Sequence, residues 1–225
     1  MTSTPAARGP RAPLTRERVL QHAARLADAG GLGSLTMRSL AQALAVQPMS
    51  LYHHVANKED ILDGLVDLVF AEVPVPEEEP GGWRAAMEHR ARAMREALAR
   101  HPWAVGLMET RTTPGTANLR HHNATLGVLR RAGFSLAAAG HAYALLDSYI
   151  YGFALQEAGL PVGTPDADPE VVEAMARSFS PEELPYLAEM AMDRAMQPGY
   201  SFGAEFDVGL GIILDGLAAL LDQDG

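Results

Sequence analysis

The sequence predicts an all-α fold in two parts, and three observations carry that expectation. Apolar residues recur at helical spacing through most of the chain, no stretch alternates with the period of two that a half-buried strand needs, and Pro, Gly and Asp breakers cut the chain into helix-length pieces. No internal repeat is visible. With 48% hydrophobic residues in 225, there is enough apolar surface for one large or two modest cores.

The elements follow in order. Met1 to Pro13 holds three prolines, small residues and two arginines, and reads as a disordered basic arm in which Arg8 and Arg11 are available for a DNA groove or for phosphates. Thr15 is placed to cap a helix with Val19, Ala23, Leu26 and Ala27 on one face, and Gly30-Gly31 ends it. Residues Thr36 to Lys58 are the most informative stretch. Met37, Leu40, Ala41 and Leu44 form one helical stripe behind a Thr36 cap, Ala45-Val46-Gln47 supplies a turn, and Pro48 suits the first position of a second, very short helix. That helix keeps Leu51 and Val55 for packing and leaves Met49, Ser50, Tyr52, His53 and His54 off the buried stripe. Hydroxyls, imidazoles and an aromatic ring form an unusual solvated face and suggest a surface that touches a partner. Asn57 caps a further helix with Asp60 at its third position, and Ile61, Leu62, Leu65, Val66, Leu68 and Val69 point inward until Pro74 stops it.

After the loop Val75 to Gly82, helices are expected near 83–100, 102–110, 115–131, 135–158, 181–195 and 203–222, with a mobile excursion at 159–169. The expected divisions are 1–13 for the arm, 14–73 for a helix-turn-helix head with its connecting helix, and 74–225 for a larger helical body.

Charge is divided the same way. The formal net charge is −10, yet residues 1–60 hold seven basic residues against four acidic ones, a net +3, so the remainder carries −13. A basic head on an acidic body fits a protein that meets phosphates at one end and repels them elsewhere. The absence of cysteine excludes a disulfide framework, a thiol nucleophile and a thiolate metal site. With no run as apolar and long as a membrane span, and no apolar signal-peptide core, the expected location is the cytoplasm. Nor does the chain carry an HExxH pair, a glycine-rich phosphate cradle or a serine elbow, so no enzyme, cofactor or metal is expected. His53 and His54, adjacent on a helix, diverge by about 100° and do not form a metal pair.

The stretch Leu35-Thr36-Met37-Arg38-Ser39-Leu40-Ala41-Gln42-Ala43-Leu44, the segment Leu51-Tyr52-His53-His54-Val55 and Asn57-Lys58 resemble the DNA-binding signature of the TetR (tetracycline-repressor) family of transcriptional regulators. Arg130-Arg131-Ala132-Gly133-Phe134-Ser135, the long helix after it and the closing Phe206 to Leu221 segment resemble that family's tetracycline-repressor-like regulatory domain. The resemblance covers the chain beyond residue 14 and is loosest in the middle.

It implies a transcriptional repressor acting as a homodimer on double-stranded, palindromic operator DNA and released by a small apolar or amphipathic effector. The alternative is a DNA-binding regulator or activator without such an effector. In this resemblance the Pro48–His54 segment enters the major groove. Arg38 reads guanine, Met49 and Ser50 contact base edges, and Pro48 adds rigidity. Tyr52, His54 and Lys58 hold phosphates, while His53 stands where the tetracycline repressor carries a tryptophan, which points to a different operator.

The body is expected to dimerise through the long helix (Ala137, Ala138, His141, Leu145, Tyr149, Phe153) and the last one (Phe206, Leu210, Ile213, Leu214, Leu217, Leu221), although the same stripes also suit an internal core. Glycines 203, 209, 211 and 216 are expected where helices approach closely. Met87, Met94, Trp103, Met108, Asn123, Tyr149 and Phe153 are the expected lining of the effector site. Tetracycline itself is not expected, because Pro74 and Met108 replace the family histidines that contact the drug and its magnesium. His121, His122 and Asn123 read as a solvated helix face.

Overall fold

A computed structural model describes residues 13–160, 170, 174, 180–195, 197 and 199–224. Among these the protein is helical throughout, with no strand. The elements are α1 (Arg16–Ser34), α2 (Met37–Leu44), α3 (Pro48–Leu51), α4 (Lys58–Glu72), α5 (Gly82–Arg100), α6 (Ala104–Met108), α7 (Thr116–Arg131), α8 (Leu136–Gly159), α9 (Pro185–Met190) and α10 (Glu205–Asp224). A π turn, Ala191–Ala195, follows α9, and a 3-10 turn, Phe202–Ala204, precedes α10. Arg8, Arg11 and the excursion at 161–169 lie outside the described residues.

Local chemistry sets the helix ends. The Thr15 hydroxyl accepts the Arg18 N–H at the start of α1, and Gly31, at φ +68°, breaks that helix before a last turn to Ser34. Thr36 accepts from the Ser39 N–H while the Thr36 N–H donates to the Ser39 hydroxyl, a reciprocal cap that serves two otherwise unpaired groups. Ala45 turns the chain in the left-handed region (φ 54°), and its N–H donates back to the carbonyls of Ala41 and Gln42. The expected second helix to His54 is shorter than its pattern: regular helix stops at Leu51, and residues 52–54 continue as a turn in which the His54 and Val55 N–H groups donate to the Leu51 carbonyl.

One continuous core links head and body. Leu40, Leu44, Leu51 and Val55 are buried, as their spacing predicts. The two ends are joined by α4, which packs on α1 at one side and on α5, α6 and α7 at the other. It buries Ile61, Leu62, Leu65, Val66, Val69 and Phe70. At about 25 cal/mol per Å² of apolar surface, each of the larger of these side chains contributes roughly 1.5–3 kcal/mol to holding the halves together.

The expected dimer stripe divides in two. Ala138, Phe153, Phe206, Leu210, Leu214 and Leu217 are buried within the single chain, because α8 packs on both α10 and α5. Of the expected stripe Leu145 stays outward, and the other large apolar side chains left outward on these helices are Leu136 and Leu155 on α8 and Val208 and Ile212 on α10. The glycines divide likewise. A Cβ on Gly209 would lie 2.3 Å from the Tyr149 hydroxyl, so this glycine serves internal packing, whereas Gly211 and Gly216 face open space.

Candidate nucleic-acid interface and ligand cavity

In the head, the candidate DNA-contacting residues are all at least partly accessible. Arg38, Pro48, Met49, Tyr52, His53 and Lys58 are exposed, and Ser50 and His54 are half-buried. Met49 keeps 72% of its surface accessible, far more than a methionine with a packing role would. Arg38 sits in the first turn of α2 and Lys58 in the first turn of α4, one on each side of the α3 segment.

The segment between them is held from behind by Arg16, which sequence reasoning did not single out. Its guanidinium donates to both Asp60 oxygens, at 2.9 and 2.6 Å, and to the His54 carbonyl at 3.4 Å. Asp60 also accepts the Ala56 N–H at 2.8 Å. The hydrogen bond from Arg16 keeps the Asp60 carboxyl below its ordinary range, and Asp60 in turn raises the Arg16 pKa. The start of α1, the end of the recognition segment and the start of α4 are thus tied at one point.

In the body, a cavity of about 590 Å³ opens between α4, α6, α7 and α8. Its apolar wall is Phe70, Val105, Met108, Leu155 and the Tyr151 ring, and its polar wall is Glu109, Asn118, His122, Tyr143, Asp147 and Ser148. Asp147 is paired with the buried Arg90, and the Tyr143 hydroxyl is hydrogen-bonded to His122 Nδ1. Burial first, and then the Asp147 carboxylate, raises the pKa of Tyr143 and of Tyr151. Burial lowers that of His122, and burial with the nearby Arg90 charge pushes His121 down to about 3, so both imidazoles are neutral at pH 7. The solvated face expected for His121 is not found. Its ring is completely buried and packs against Phe70 with neither nitrogen in a hydrogen bond, since the nearby Pro74 carbonyl does not reach hydrogen-bond geometry.

Of the residues expected to line an effector site, Met108 is on this wall. Met87 and Met94 are fully buried core, Trp103 donates its indole N–H to Asp28, and Asn123 is exposed. Tyr149 and Phe153 pack with Phe206 in an aromatic cluster beside Arg95.

Cavity and head meet along one stripe of α4. Glu59 and Asp63 pair with Arg111 at 2.7 and 2.9 Å, the Asp67 carboxylate accepts the Asn118 N–H at 2.9 Å, and Phe70 meets the rings of His121 and His122. The spacing of these four residues, 4, 4 and 3, keeps them on one helical face. Asp67 thereby caps α7 from another helix. The residue at the head of α7 has to be glycine, because a Cβ on Gly115 would lie 2.2 Å from the Asp67 carboxyl carbon.

Comparison with known proteins agrees with this arrangement. Residues 19–65 match the family described as bacterial regulatory proteins, tetR family, and residues 75–221 match the tetracyclin repressor-like C-terminal domain. The chain belongs to the TetR family. Among TetR-family relatives, it is 33% identical to the HTH-type transcriptional repressor DrrR1 of Streptomyces coeruleorubidus, over 96% of this chain and 82% of that protein. It is 31% identical to the class A tetracycline repressor from transposon 1721 of Escherichia coli, over 89% and 88%. The fold is similar to apo ActR of Streptomyces coelicolor, with a TM-score of 0.78 at 29% identity over 96% of this chain and all of that one. ActR in complex with actinorhodin gives 0.76 at 30% identity, covering 92% and 98%.

Proposed function

We propose that the chain is a dimeric repressor of the TetR type that binds a near-palindromic operator through residues 14–73 and is released when a small molecule enters the cavity of its 74–225 body. The observation that carries this reading is the α4 stripe: the helix that opens the DNA-facing surface with Lys58 also forms the cavity wall with Phe70. A ligand that moves the α6–α7 wall acts on Arg111, Asn118 and His122, and through them on Glu59, Asp63, Asp67 and Phe70. A change of this kind re-aims the head, and it favours release by as much as the ligand prefers the re-aimed state.

Each head residue has a role set by its chemistry. Arg38 donates two hydrogen bonds to the O6 and N7 of a guanine. Met49 and Ser50 meet a thymine methyl and a base-edge acceptor, Pro48 stiffens the segment, and His53 faces the groove. Tyr52, His54 and Lys58 hold phosphates and fix register. Dimerisation is supported by the outward apolar face of α8 and α10, where Gly211 and Gly216 leave open space for a second copy's helices. The actinorhodin complex of ActR supports a small-molecule effector for this chain also.

The test is Met108→Trp, which fills the cavity from α6. A ligand found by thermal shift should raise the melting temperature of the parent and release its operator together, whereas the variant should bind operator equally well and ignore the ligand. Release of the variant at the parent's ligand concentration would place the effector elsewhere.

A further inference from the structure

We infer that the cavity between α6, α7 and α8 selects an organic cation, an amphipathic ring system bearing a protonated amine, over a carboxylate of the same shape; the inference rests on the cavity being the effector site. The charge of the wall carries it. Among the described residues that line the cavity, Glu109 and Asp147 are carboxylates and none is lysine or arginine. Arg90 lies behind the wall and is committed to Asp147, so the charge of Glu109 is left uncompensated at the mouth. The imidazole of His122 adds no positive charge, because it is buried and bonded to Tyr143.

Two further features suit an ammonium group. Asn118 Oδ1 is buried on this wall with no hydrogen-bond partner and can accept an N–H. The aromatic residues Phe70, Tyr143 and Tyr151 line the cavity, and the faces of such rings carry a negative quadrupole that attracts a cation. Burial raises the pKa values of Tyr143 and Tyr151 first, Asp147 adds to that, Arg90 opposes it, and Glu109 makes the last and smallest contribution in the same direction as Asp147. A carboxylate entering here meets the uncompensated Glu109 and no lysine or arginine on the wall.

Three tricyclic probes of one shape separate the possibilities: proflavine, a cation at pH 7.5; acridone, which is neutral; and acridine-9-carboxylate. Their binding to the full chain is measured by fluorescence without DNA. Proflavine is expected to bind at least tenfold more tightly than the carboxylate. Glu109→Gln should shrink that ratio about fivefold, as loss of one nearby charge in a partly solvated site implies. Glu96→Gln, an exposed carboxylate away from the cavity, should leave it unchanged, and Met108→Trp should abolish proflavine binding.

Equal or tighter binding of the carboxylate, a ratio unaffected by Glu109→Gln, or proflavine binding that survives Met108→Trp would overturn the assignment. If proflavine fails to bind while acridone binds and is lost in Met108→Trp, the charge assignment falls and the effector site stands. Failure of both removes the site as well.

Discussion

Arg38 and Lys58 are both exposed in the head, but their chemistry separates them. A guanidinium that reads a guanine contributes to one sequence, and an ammonium that holds a phosphate contributes to all. Arg38→Ala should therefore weaken specific binding by about 1–3 kcal/mol and relax a single base position. Lys58→Ala should weaken every duplex alike and lower the salt slope by about one. Competition with single-base operator variants at two salt concentrations checks both.

His121 couples stability to pH. Its pKa in the folded chain is about 3, against 6.5 for an ordinary histidine, so below pH 6.5 the unfolded chain binds a proton that the folded one refuses. Stability is then full above about pH 6.5 and falls as the pH drops toward 3. Between pH 7.5 and 5.0 this amounts to a loss on the order of 2 kcal/mol. His121→Leu also removes two unpartnered buried nitrogens. It should stabilise the protein at neutral pH and remove that part of the acid sensitivity, as measured by urea unfolding at the two pH values. An unchanged pH difference would show that His121 is not held neutral.

These two regions were unequally legible in the sequence. The candidate DNA-contacting residues stand out because they interrupt a helical stripe in a short segment where every position has a clear direction. Met87 and Met94 carried no such information, since a methionine facing a cavity and one filling a core have the same spacing. The usable signal was Asp147, one of two carboxylates in the otherwise apolar α8, each of which meets an arginine of α5. His121 was misread because its polar neighbours suggested a wet face, while the packing of α7 on α4 buries that side.

For elements, α4 decides the behaviour. Its cap at Asn57 and its apolar face were evident from the sequence. Its second role was not, because Glu59, Asp63 and Asp67 look like a solvated acidic edge until the α6–α7 loop brings Arg111 and the N-terminus of α7 against them. Arg111→Ala should leave operator affinity of the unliganded protein nearly unchanged and reduce the effector's influence on it by about 0.5–2 kcal/mol. The ratio of operator dissociation constants with and without an effector found by thermal shift gives the coupling directly. If full release persists in the variant, the signal passes by another route. The helices α8 and α10 show the limit of periodicity in a different way. Because α8 is apolar almost all round, its sequence did not reveal which stripe turns inward, and contact with α5 and α10 settles it.

For the whole molecule, binding to a near-palindromic operator requires two heads at a fixed separation. The outward face of α8 and α10 is apolar, and Ile212 keeps 68% of its surface accessible in the single chain. Ile212→Asp should leave the fold intact, convert a dimer to a monomer in sedimentation equilibrium and weaken operator binding by more than tenfold, since one half-site supplies limited specificity. A variant that stays dimeric would move the interface elsewhere.

The division of charge, +3 in residues 1–60 and −13 beyond, suits a head that approaches phosphates and a body that repels them. The most direct measurement is fluorescence anisotropy of the purified protein on duplex fragments from upstream of its own gene and its neighbours, beside scrambled DNA, at two salt concentrations. Tight binding selective for one fragment and weakened by salt is the predicted result. Binding to every such fragment no tighter than to scrambled DNA would contradict the account.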